Sequence, residues 1–149
     1  MSEDLIAVAR ERVEAFNAGD WDRMRRVTAP DSAYDEPATQ RRLEGQDAVI
    51  EASQGWKSAF PDAQGMVTSA FACDDRVVME VAWEGTHAGA LQLPGGGRIP
   101  PTNRRVSVDA ALVLRVADGR IAETRHYFDM LGILEQMGTL SSETLAQED

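Results

Sequence analysis

The spacing of apolar residues changes near Pro61, from the helical repeat of about 3.6 residues to the strand repeat of two, so the chain must fold with helices first and strands afterwards. Leu5, Ala9, Val13 and Phe16 recur at helical spacing between Glu3 and Ala18, with acids in the first turn and Gly19 where a helix C-terminus favours glycine. Asp20 is placed to cap a short second helix carrying Trp21, Met24 and Val27, which ends before Pro30 because the residue ahead of a proline avoids helical geometry. Ser32 to Pro37 reads as extended. Val49, Ala52, Trp56 and Phe60 define a third helix from Gln46 to Phe60, closed by Pro61-Asp62.

Beyond that point Met66 to Cys73, Arg76 to His87, Arg104 to Val116 and Arg120 to Asp129 alternate, and Asp74-Asp75 and Asp118-Gly119 are turns of the kind that close hairpins. The second half therefore reads as an antiparallel sheet. Leu93 to Thr102, with Gly95-Gly96-Gly97 at its centre, is too irregular for a strand and reads as a flexible loop able to flap over a pocket. Leu131 to Met137 is a last apolar turn before an acidic tail. The expectation is an α+β fold with a single domain over residues 1–138 and a polar tail over 139–149, its curved sheet wrapped over helices and leaving a cavity at the open end.

Composition narrows the function. A formal charge of −10 repels phosphate backbones and anionic membranes, so nucleic acid and membrane surfaces are not expected as partners. The apolar runs are short, far from the roughly 18 residues of a membrane span, and the first residues are acidic rather than basic; the expectation is a soluble, cytoplasmic protein. Cys73 is the only cysteine, which excludes a disulfide framework within the chain and leaves it a buried small hydrophobe. His87, His126, Asp129 and Cys73 do not fall into a zinc-binding spacing, and no cofactor motif is present.

Strand parity nominates candidate site residues. Val77, Met79, Val81 and Trp83 share the apolar face of the Arg76 strand, and the count puts His87 on that face. In the last strand Ile121, Glu123, Arg125, Tyr127 and Asp129 share one face and Thr124, His126, Phe128 and Met130 the other. With Ile121 inward, Glu123 and Asp129 must be paired, solvated by a pocket or shifted in pKa. Asp129 is then either a general acid or base at a pocket mouth or the cap of the helix after it, roles that are compatible. His87 either orients or protonates a substrate oxygen or is a core histidine hydrogen-bonded to a carbonyl. Trp56, Trp83, Tyr34 and Tyr127 serve as core or as the wall of a site for an apolar or aromatic small molecule.

The run Trp83-Glu84-Gly85-Thr86-His87-Ala88-Gly89, then Pro100-Pro101-Thr102, then Val116 to Glu123, and finally Asp129 followed by Leu131, Leu134 and Gln136-Met137-Gly138 resembles the SnoaL-like polyketide cyclases of the nuclear-transport-factor-2-like superfamily, over residues 5 to 138. The resemblance implies a cone-shaped fold, frequently a homodimer through its sheet, and cofactor-free aldol cyclisation of aromatic polyketide esters. It assigns Asp129 as the catalytic acid/base, and His87 as the pocket-lining histidine. Asn103 and Arg125 depart from the family pattern, where glycine and tryptophan are common, so substrate identity does not transfer. Asn17-Ala18-Gly19-Asp20 and Glu36-Pro37 are similar to ketosteroid isomerases, but Arg12 and Leu112 fall where that enzyme needs its oxyanion donors. Glu36 then lines the pocket or solvates a turn. The competing expectation is a non-catalytic binding or dimerisation module of the same fold.

Overall fold

Helix α1 (Ser2–Ala18) follows the helical repeat and ends at Gly19, whose φ of +66° is the left-handed geometry that glycine adopts without strain. Asp20 caps α2 (Trp21–Arg26) by accepting the Arg23 N–H at 3.0 Å, and Met24 is fully buried. The computed structural model, which describes residues 2–93 and 96–139, then adds what the alternation did not reveal. Strand β1 (Thr28–Glu36) starts four residues earlier than its sequence suggests, and a 3-10 turn at Pro37–Thr39 leads into β2 (Arg41–Glu44). That strand is short and largely charged, so it resembles a solvated loop. Helix α3 (Gln46–Ala59) matches its repeat.

Strands β3 (Gln64–Cys73) and β4 (Arg76–Thr86) form the first long hairpin. The segment expected to be a flexible loop, Leu93 to Thr102, holds strand β6 (Arg98–Ile99), which pairs with β5 (Leu91–Gln92) just before the segment to form a two-stranded ribbon. Its central Gly95, and the acidic tail after Thr139, lie outside the described residues. Strands β7 (Arg105–Ala117) and β8 (Arg120–Phe128) make the second hairpin through Asp118 and Gly119, both at positive φ as such tight turns require. Helix α4 (Met130–Gln136) completes the described fold. The six-stranded sheet runs β2-β1-β8-β7-β4-β3; β1 lies parallel to β8 and the other neighbours are antiparallel.

The helices pack on one face of this curved sheet. Ala9 and Val13 of α1 bury against Val77, Met79 and Val81 of β4 and Leu112 and Leu114 of β7. Phe16, Met24, Ile50, Phe60, Val106 and Ile133 form a second cluster toward α3 and α4. Cys73 is exposed at the end of β3, not buried as expected, because it shares the outer face with Phe71. No helix among the described residues is long and apolar enough to cross a membrane.

Strict alternation fails in β8. Val116 pairs with Ile121 but Arg115 pairs with Glu123, so Ala122 has no partner and forms a β-bulge. The bulge turns the rest of the strand over. Ile121 and Thr124 are both buried, His126 and Phe128 follow on the inner side, and Glu123, Arg125 and Tyr127 face outward, where Glu123 meets Arg125 at 3.3 Å and Arg115 at 3.8 Å. The inward placement expected for Arg125 and Tyr127 is thus corrected, as is the outer placement of Phe128. Desolvating Glu123 and Arg125 would cost several kcal/mol, and one unpaired alanine avoids it. Deleting Ala122 should therefore abolish the cooperative thermal transition, whereas Phe71→Ser, on the exposed face, should shift Tm by no more than a degree or two; calorimetry on both variants checks this.

Candidate active site

Inverted by the bulge, β8 helps to enclose a cavity of about 90 Å³ between the sheet and the helices. Its aromatic walls come from elements distant in sequence: Phe16 of α1, Trp56 of α3, Phe60 after it, Trp83 of β4 and Phe128 of β8. The rings meet edge to face, Phe16 on Trp83 at 5.1 Å and Trp56 on Phe128 at 5.6 Å, the arrangement aromatic quadrupoles favour. Trp83 lies over Gly65, its partner across the β3–β4 ladder, where a Cβ would fall 2.5 Å from the indole. Asn17 holds that spot by bonding both the N–H and the C=O of Gly65, at 2.7 and 2.9 Å.

The polar end of the cavity is built on Glu36. Its carboxylate is fully buried and accepts hydrogen bonds from the Tyr34 hydroxyl, from Thr39 at 2.6 Å, from Trp56 Nε1 at 3.1 Å and from Arg41 at 3.2 Å. Four donors, one of them cationic, replace the water that burial removes. Because Tyr34 donates to Glu36, its oxygen is left to accept from His126 Nδ1 at 3.0 Å. This fixes the proton of His126 on Nδ1 and leaves Nε2 an acceptor. Burial pushes the Tyr34 phenol well above its ordinary pKa, and burial, with Arg12 nearby, lowers His126 to about 3. Both side chains are therefore neutral around pH 7.

Arg12 lines the cavity from α1, only 5% exposed, with its guanidinium 5.9 Å from the centre of the Tyr34 ring. Burial lowers its pKa, against the opposing pull of Tyr34 and Glu36. Trp83 Nε1 and His126 Nε2, in contrast, are sealed in the wall with no hydrogen-bond partner among the described residues. Such groups are uncommon in folded proteins. An apolar chamber with a cation, an acceptor and an indole donor suits a molecule that is aromatic or aliphatic in bulk and carries oxygen at one end.

The structure divides the sequence candidates. Trp56, Trp83 and Tyr34 line the cavity, and Glu36 stands behind Tyr34 as its support. Arg125 and Tyr127 lie outside it, on the outer sheet face. Asp129 follows the cavity-lining Phe128 but is itself exposed, and its carboxylate caps α4 by accepting the Gly132 N–H at 3.0 Å. His87 is buried, its ring tilted against Phe60 with centroids 5.4 Å apart, and outside the cavity lining. Its Nδ1 accepts the Thr102 N–H at 3.1 Å, and its backbone bonds to Arg104 and Asn103, so it pins the returning end of the glycine-rich segment. Neither Arg12 nor His126 follows from the sequence as a cavity residue. The signal for Arg12 was an arginine one position before the buried Val13; His126 depended on the bulge. No group of three or more potential metal ligands occurs among the described residues.

A family model described as SnoaL-like polyketide cyclase matches residues 6–137. Among solved structures, AclR, a proposed hydroxylase from Streptomyces galilaeus, is similar at 27% identity with a TM-score of 0.77, covering 94% of this chain and 88% of that one. IdmH, a proposed polyketide cyclase from Streptomyces antibioticus, is 27% identical with a TM-score of 0.75, covering 90% and 98%. A proposed SnoaL-like polyketide cyclase from a Jannaschia species superposes at a TM-score of 0.82 with 20% identity, over 94% and 95%, a likeness of fold. No curated protein matches.

His126 provides a check on this electrostatic picture. Between pH 6.5 and about 3 the unfolded chain binds a proton at this residue that the native protein refuses, so stability falls as pH falls through that window. Its ring resonances should stay at neutral-imidazole positions from pH 8 down to 5, and Tm should fall less steeply with acidification in His126→Gln than in the wild type. Proton NMR and pH-dependent melting measure the two.

Proposed function

The chain belongs to the SnoaL-like polyketide cyclase family, and on that premise we propose that it is a cofactor-independent enzyme performing acid–base chemistry at a carbon next to a carbonyl, of the aldol-cyclisation kind. One observation carries this reading: an apolar cavity in which a buried guanidinium, Arg12, adjoins a neutral phenol and a neutral imidazole. In such chemistry a C–H bond beside a carbonyl loses its proton to a base, and negative charge gathers on the carbonyl oxygen. The carbanion then forms a C–C bond to a second carbonyl, whose oxygen takes up a proton. The largest cost is the enolate charge, and a preorganised cation in a low-dielectric site offsets it without reorganisation.

The base is assigned to Asp129, on the family resemblance and on its place beside Phe128, which lines the cavity. To serve, its carboxylate must exchange the Gly132 N–H for substrate. His87 acts at a distance, by fixing the segment that returns through Thr102. A second reading, a binding module without turnover, draws on the same placements, since neither Asp129 nor His87 is part of the cavity wall. Homodimerisation through the outer sheet face, where Phe71 and Tyr127 are exposed, belongs with either reading.

The two separate in a mass-spectrometric assay on aromatic β-keto esters that raise Tm. Wild type is expected to yield a cyclised product, and Asp129→Asn to lose turnover by about 10²- to 10⁴-fold, the usual worth of a general base. Asparagine is an equally good helix cap, so Tm should not change. Ligands that bind both proteins without chemical change would support the binding module, and an undiminished rate in Asp129→Asn would remove that residue from the mechanism.

A further inference from the structure

The charges around the cavity do not balance. Glu36 is matched by Arg41, which bonds both of its oxygens at 3.2 and 3.3 Å. Arg12 is a second guanidinium at the same end, and no hydrogen bond or ion pair within 4.0 Å joins it to a carboxylate among the described residues. Its nitrogens are not among the buried atoms sealed off without a partner, so they retain access to open space, and the open space beside this nearly buried residue is the cavity. His126 and Tyr34 are neutral and bring no compensating charge. Glu84 also adjoins the cavity, but it is largely exposed and its carboxylate is held by Arg105 at 3.2 Å.

A cation kept in an apolar chamber with no carboxylate in contact, opposed only by a Glu36 already shared with Arg41, is costly, and that cost is relieved when a ligand brings one negative charge. Guanidinium presents paired N–H groups that match a planar two-oxygen anion. We infer that the cavity selects monoanionic ligands: an aromatic or aliphatic body held among Phe16, Trp56, Trp83 and Phe128, with a carboxylate, or the delocalised enolate of a 1,3-dicarbonyl, seated on Arg12. This deepens the reading above and rests on the same cavity being the site. General attraction cannot produce such selectivity, because a protein of formal charge −10 repels anions at long range.

Two ligands of nearly equal shape test it on the intact protein: 3-phenylpropionate and its neutral primary amide, titrated by tryptophan fluorescence and calorimetry at pH 7. Wild type should bind the carboxylate at least ten times more tightly than the amide. Arg12→Met should bring the ratio within about threefold, and Arg12→Lys, which keeps the charge but not the fork, should restore part of it. Cyclohexane-1,3-dione, which is largely its enolate at pH 7, and its non-enolisable 2,2-dimethyl analogue form the enolate arm of the same comparison, with the same outcomes. Equal or tighter binding of the amide by wild type overturns the inference, as does failure of the carboxylate to bind at millimolar concentration or unchanged selectivity in Arg12→Met. Should Arg12→Met not fold, the wild-type ratio decides, since it compares two ligands on one protein. The readout is affinity alone: turnover of a neutral ester by a cavity without charge preference would leave the cyclase reading standing, and charge-selective binding without product would leave this one.

Discussion

The inner surface of the molecule depends on one residue that pairs with nothing. Ala122 interrupts the β7–β8 ladder, and β1 slips across the same place, pairing Thr28 with Ile121 but Ala33 with Glu123. The β1–β8 ladder thus carries its own irregularity opposite Ala122, with the surplus residues on β1. The effect of the Ala122 bulge is an exchange of faces. A polar-rich strand end, Glu123 to Phe128, presents Thr124, His126 and Phe128 to the interior and sends its charges to the outer face. Without that exchange the cavity would lose a wall and the histidine that ends its hydrogen-bonded chain.

That chain begins at a carboxylate removed from water. Burying Glu36 requires compensation from several donors, and they arrive from β1, the following turn, β2 and α3: Tyr34, Thr39, Arg41 and Trp56. The short strand β2 has a clear purpose in this light, since it delivers Arg41. Each donor is also a positional constraint. Trp56 is anchored at Nε1 while its ring forms cavity wall, and Tyr34 is oriented so that its oxygen can hold His126 in one tautomer. Charge burial at one point thus sets the rotamers of an aromatic wall several ångströms away, a case of a polar network specifying geometry rather than adding stability.

The sequence exposed the order of elements well because periodicity is a local property. Helices α1 and α3, the hairpin turns at Asp74 and Asp118, the capping by Asp20 and the inward face of β4 all follow from residues within a few positions of one another. What stayed hidden is non-local. A bulge is a relation between two strands, and nothing in Ile121-Ala122-Glu123 announces it, so a correct count from Ile121 carried Arg125, Tyr127 and Asp129 to the wrong face. The strand β2 and the ribbon of Leu91 with Ile99 were overlooked for the same reason, being held by partners rather than by propensity. Trp56, Trp83, Tyr34 and Glu36 were picked out because large aromatics and a carboxylate beside proline need an explanation wherever they fall. Arg12 was noticed only as a missing tyrosine.

Seen from the cavity, Arg12 is the more informative half of that comparison. Neutral hydrogen-bond donors can stabilise an enolate only as far as their acidity allows, whereas a guanidinium supplies a full charge that burial amplifies. The same burial raises the cost of the empty state, because the cation must be held without its own hydration shell. The tolerable solution is a cation with diffuse charge, weak hydration and an aromatic face to rest on, and Arg12 over the Tyr34 ring meets each of those conditions. Lysine would meet fewer of them: its compact, strongly hydrated ammonium loses more on desolvation and gives up its proton more readily. Arginine at position 12 therefore suits a permanent positive charge beside aromatic walls, the property that the proposed anionic occupant would require.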